Sequence, residues 1–155
     1  MTAARKPAEQ SRPELTIRRV YDAPRALVFQ MWTDAEHLKN WCCPTGFTIP
    51  FSEGDIREGG SFRTCMRAPD GVDHWLGGVY TEIIKDQKIV FTHAWQDAAG
   101  NSDHETLVTI TLADAGDGRT TLTLHQAYFL TEASRAGHEG GWNETLDSLA
   151  EYLSR

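Results

Sequence analysis

The chain has 155 residues, 40% of them hydrophobic and 24% charged, and carries a formal net charge of −7. That length fits one domain of ordinary size, able to bury a core without disulfide or metal staples. The composition excludes a disordered tail, no apolar run reaches the ~18–20 residues needed to cross a bilayer, and an acidic chain without a basic stripe argues against binding to phosphate backbones.

Residues 1–13 carry Arg5, Lys6 and Arg12 but no apolar core region, so they read as a flexible lead-in and not as a secretory signal. Residues 14–155 then form a single domain. The cysteines are Cys42, Cys43 and Cys65. Two are adjacent and the count is odd, which suits neither a zinc knuckle, a CxxC pair nor a disulfide framework, and favours a reducing cytoplasm.

Leu15 to Tyr21 is β-rich and ends at Asp22-Ala23-Pro24, where proline suits the first turn of a helix. Leu27, Val28 and Met31 give a short amphipathic helix up to about Trp32. Thr33 with Glu36 three residues on reads as a capping box for a second short helix, which stops before Pro44. From there the period becomes that of strands. Phe47–Ser52, Phe62–Met66, Trp75–Ile84, Ile89–Trp95, Thr106–Leu112 and Thr121–Gln126 are separated by turns rich in Gly, Asp and Asn, a meander of antiparallel hairpins.

Val108, Ile110 and Leu112 alternate with threonines, as do Leu122 and Leu124, so one face of the sheet is covered. Trp142, Leu146, Leu149 and Leu153 form the helical stripe that covers it. Gly140 and Gly141 precede that stripe. Either the helix becomes regular only from Trp142, or something approaches the glycines closely. Two short helices, a run of strands and a long final helix make the fold class α+β.

This order resembles the helix-grip fold of the SRPBCC (START-like) superfamily, in which a curved antiparallel sheet wraps around a long C-terminal helix. Within it the chain is similar to the branch named for homologues of the activator of heat shock protein 90 ATPase. The resemblance rests on Asp22-Ala23-Pro24, Trp41, Asp55-Ile56-Arg57-Glu58-Gly59-Gly60-Ser61-Phe62, Gly78 to Ile83, Ile89 to Thr92, and His138-Glu139-Gly140-Gly141-Trp142 with its leucine stripe. It runs from about residue 14 to the C-terminus. It implies a cavity between sheet and helix that holds small apolar molecules, and no shared catalytic residue.

The candidate ligand-binding residues are Trp41, Trp75, Tyr80, His93, Trp95 and Trp142. Aromatic walls with few polar groups characterise small-molecule cavities, although such rings also build cores. His93 shares strand parity with Ile89, Phe91 and Trp95, which turns a titratable ring inward. Trp75 and Tyr80 have opposite parity, so one of them faces away unless Gly77-Gly78 hosts a bulge. Asp55 and Arg57 share a strand face and read as a surface ion pair before a tight turn.

No two histidines have metal-ligand spacing, and no P-loop, GxSxG or dinucleotide fingerprint occurs, so neither metal nor cofactor is expected. Cys42 and Cys43 lie near a helix C-terminus, which does not activate thiols. The expected function is binding of a small hydrophobic molecule for carriage, sequestration or sensing. The rivals are a cyclase, dehydratase or hydrolase using His93 with a carboxylate, and a chaperone- or regulator-associated module. Homodimerisation stays open.

Overall fold

The computed structural model describes residues 12–155. Most of the expected lead-in, residues 1–11, lies outside the described residues. Strand β1 is Leu15–Tyr21, followed by helices α1, Arg25–Thr33, and α2, Ala35–Trp41. The strands β2 (Thr48–Gly54), β3 (Ser61–Arg67), β4 (Asp73–Ile84), β5 (Lys88–Gln96), β6 (Thr106–Gly116) and β7 (Arg119–Ala127) follow, and α3, Glu132–Leu153, ends the chain. The sheet order is β1-β7-β6-β5-β4-β3-β2, with every neighbouring pair antiparallel. β6 and β7 run longer than their apolar alternation implies. They meet at Asp117-Gly118, where φ values of 55° and 74° make the two-residue turn that matches strand twist.

Helix starts differ from the sequence expectation in two places. Asp34, not Thr33, caps α2: its carboxylate accepts from the Glu36 N–H at 2.9 Å. Thr33 belongs to the end of α1 and donates its hydroxyl to the Phe29 carbonyl. α3 is regular from Glu132, well before Trp142, because the Thr131 hydroxyl accepts from the Ser134 N–H at 3.0 Å. Among the described residues, no strand packs closely on the glycines inside it. A Cβ on Gly137 or Gly140 would meet nothing within 4 Å, and one on Gly141 would only touch Pro44 at 3.8 Å.

The leucine stripe does bury. Leu146 and Leu149 are fully enclosed against the concave face formed by Val108, Ile110, Leu122 and Leu124. Each such leucine contributes roughly 1.5–3 kcal/mol of apolar burial. Polar ties fix this half of α3 to β1. The Tyr21 hydroxyl donates to the Leu146 carbonyl at 2.9 Å, and Arg19 donates to Asp147 and Asn143. α1 and α2 close one end of the grip. Trp32 and Trp41 meet edge to face with centroids 4.7 Å apart, and Trp41 Nε1 donates to the Met31 carbonyl. Among the described residues, no helix is long and apolar enough to cross a membrane.

Candidate ligand-binding site

The N-terminal half of α3 stands off the sheet where the C-terminal half seals it. Ser134, Gly137, His138, Gly141, Trp142 and Thr145 face a cavity of about 360 Å³. Most of those positions carry small residues, which leaves this helix face thin, and the hollow results. Opposite stand Met66 of β3, His74 of β4, and His93 and Trp95 of β5, with Cys42, Pro44 and Phe47 from the α2–β2 connection. A smaller chamber of about 110 Å³ adjoins it, walled by Tyr80, Phe62, Phe91, Leu76 and Trp32. Cys42, Met66, His93 and Trp142 line both chambers and form the neck between them.

Strand parity places the aromatic rings. On β5, Ile89, Phe91, His93 and Trp95 share the concave face, with Trp95 at the open mouth. On β4, His74, Leu76 and Tyr80 point inward. The register shift falls between Tyr80 and Glu82, beyond both rings in question, so Gly77-Gly78 carries no bulge. Trp75 therefore faces the convex side. There it lies under the Arg63 guanidinium at 4.0 Å and beside Phe51. Trp41 is likewise not a cavity wall: it is 1% exposed and packed into the core behind Trp32. Asp55 and Arg57 pair at 2.5 Å, but in the β2–β3 loop and not along a strand. Gly60 permits that turn, because a Cβ there would collide with the Asp55 carbonyl oxygen.

Hydrogen bonds hold the walls rigid. The Trp142 indole donates to Gln126 Oε1 at 2.7 Å. Gln126 Nε2 donates to Thr106 Oγ1 at 2.8 Å, and the Thr106 hydroxyl donates to the His93 carbonyl at 3.0 Å. This buried relay locks helix to sheet, and with its members partnered it stabilises where half-satisfied groups would cost. At the mouth, Trp95 Nε1 donates to His138 Nε2 at 2.9 Å, and His138 Nδ1 lies 2.7 Å from the Ser134 carbonyl. A carbonyl only accepts and an indole only donates. Nδ1 is therefore the donor towards Ser134 and Nε2 the acceptor towards Trp95, which fixes the orientation of the ring.

His93 sits among these rings at 7% exposure, edge-on to Trp95 and within 5.8 Å of His138. Burial, reinforced by the neighbouring His138, pushes its imidazole down to about 3, so it is neutral at physiological pH. Burial likewise holds the Tyr80 hydroxyl above the ordinary phenol range and pushes the Cys42 thiol up to about 12. Among the described residues, no carboxylate lines the larger chamber, so His93 has no acidic partner there. Nor, among those residues, is any group of three or more His, Cys, Asp or Glu side chains placed to hold a metal.

Sequence reasoning misses several residues of the site. His74 shares parity with Tyr80, and Gln126 with Leu122 and Leu124, so both are open to detection as polar groups on an inward face. His138 is not, because its role depends on where α3 crosses β5.

A curved seven-stranded antiparallel sheet gripping a long helix, with a hollow between them, defines a helix-grip protein. Residues 22–154 match the family model described as activator of Hsp90 ATPase homolog 1-like protein, and the chain belongs to that family. No curated protein matches it. Among solved structures, the AHSA1 protein from Silicibacter pomeroyi superposes with a TM-score of 0.83 at 23% identity, covering 92% of this chain and 98% of that one. A protein from Chromobacterium violaceum gives 0.79 at 27% identity, over 92% and 97% of the two chains. One from Arthrobacter aurescens gives 0.82 at 22% identity, over 91% and 86%.

Proposed function

We propose that this protein binds a small, predominantly apolar molecule in the hollow between α3 and the concave sheet, and that it acts by carrying, sequestering or sensing that molecule. The observation that carries the reading is the 360 Å³ cavity, walled by Trp95, Trp142, Phe47 and His93 and bordered by a helix face of small residues. A concave, predominantly apolar hollow of that volume with a few polar groups has the size and character of a small-molecule site. Burying ~300 Å² of apolar surface gains on the order of 7 kcal/mol before ordering costs, enough for micromolar affinity.

Acid–base catalysis through His93 is supported less well. A base held near 3 is a weak proton acceptor at neutral pH, and no described carboxylate of the larger chamber can assist it. Native mass spectrometry of gently purified protein tests the binding reading. The expected result is a co-purified or added apolar molecule at one per chain. A protein that stays at its bare mass with a panel of apolar probes contradicts it.

A further inference from the structure

The two chambers differ in what they can hold. A dry cavity of about 150 Å³ accepts one benzene ring. The outer chamber, at about 360 Å³, therefore has room for two fused rings, and its aromatic walls suit a flat face. The inner chamber, at about 110 Å³, is too small for a ring but large enough for a substituent.

Its polar groups are unusual. Tyr80 is 7% exposed, and its hydroxyl takes part in none of the hydrogen bonds among the described residues. Trp32 lines the same chamber, and its buried N–H has no acceptor among those residues. His93 stands at the neck, two residues along β5 from Phe91, the cross-strand partner of Tyr80, and its ring bonds to no other described residue. A phenolic hydroxyl and an indole N–H without acceptors favour an incoming oxygen. A neutral imidazole with a free lone pair accepts a hydrogen bond from its O–H. The charged side chains of the inner chamber, Lys39 and Glu53, belong to its rim: Lys39 is ion-paired with Glu36 and Glu53 is exposed. An ionised guest would find no counter-charge inside, and its lost hydration would go uncompensated.

Resting on the binding reading above, we infer that the guest is an uncharged molecule of about two fused rings bearing one oxygen substituent. The rings occupy the outer chamber, and the oxygen passes the His93–Trp142 neck to meet the Tyr80 hydroxyl. The structure thereby assigns Tyr80 as the residue that distinguishes an oxygenated guest from its hydrocarbon.

Calorimetric titration with naphthalene, 2-naphthol and 2-naphthoate, on wild-type protein and on Tyr80→Phe, tests this. One added hydrogen bond predicts that wild type binds 2-naphthol about 2- to 10-fold more tightly than naphthalene. The carboxylate should bind more weakly than either. In Tyr80→Phe, whose fold is checked by its melting temperature, the preference for 2-naphthol should close to within about twofold. If naphthalene binds but 2-naphthol binds no better, or if the preference survives in the variant, the assignment of Tyr80 is overturned while the binding reading stands. Tightest binding of 2-naphthoate overturns it in favour of an anion site. Failure of all three probes overturns both readings.

Discussion

Replacing His93 with phenylalanine isolates the energetic consequence of burying a titratable ring in the cavity wall. In the unfolded chain a histidine titrates near 6.5, whereas in the folded protein this one takes up a proton only near 3. Between those values the unfolded state binds one proton more than the native state, so His93 draws stability away as pH falls. Its neutral form carries no such penalty above 6.5, and the loss is complete only at about pH 3. The slope inside that window is about 1.4 kcal/mol per pH unit, which over the stretch below 6.5 amounts to about 2 kcal/mol between pH 7 and pH 5. Asp73, Asp97 and Glu132 have carboxyls held below the usual range by hydrogen bonds from Arg67, the Asn101 backbone and Arg135. Their stabilisation also disappears in acid, but they are common to both proteins and cancel in the difference. Urea denaturation of wild type and His93→Phe at pH 7, 6 and 5 measures it. The variant should lose about 2 kcal/mol less than wild type over that range. Parallel stability–pH curves would show instead that His93 is solvated in the native state.

Other perturbations follow from the same geometry. Gly141→Leu should fill the thin helix face and weaken binding of an apolar probe by about tenfold or more. Gly140→Ala, whose Cβ meets nothing and lies outside the cavity lining, should raise stability by up to about 1 kcal/mol without changing affinity; titration and thermal melts separate the two. Trp142→Phe leaves Gln126 Oε1 buried without its donor and should cost about 1–3 kcal/mol in urea melts. Cys42, whose thiol is pushed up to about 12, should react with iodoacetamide at pH 8 about tenfold or more slowly than a free cysteine, as followed by mass spectrometry.

Much of the fold was legible because its periodicities are simple. Alternation of Val108, Ile110 and Leu112 with threonines, and the Leu146–Leu149 stripe, describe elements whose burial is set by one period alone. Parity alone also turns His93 and Trp95 to the concave face. Where it could not decide, for Trp75 against Tyr80, the position of one bulge was the missing fact, and the irregularity at Thr81 is set by pairing with β5. Caps were harder to read. Asp34 stands beside Thr33, which is also a capping residue and has Glu36 three positions on, and the packed structure selects Asp34. Thr131 opens a helix whose first turns, Glu132 to Gly141, carry small and polar residues, so no apolar period announces them. The mouth of the site was the least legible part. The Trp95–His138 contact joins residues 43 apart in sequence, and no local pattern brings a strand ring to a helix ring.

Binding requires the hollow to be open to a guest, and the tryptophans report on that directly. In a ¹⁵N-labelled sample titrated with naphthalene, the indole N–H signals of Trp95 and Trp142, which line the cavity, should shift saturably, while that of Trp75 on the convex face should stay in place. Signals of Trp95 and Trp142 that do not move at saturating probe, or a shift confined to Trp75, would contradict it.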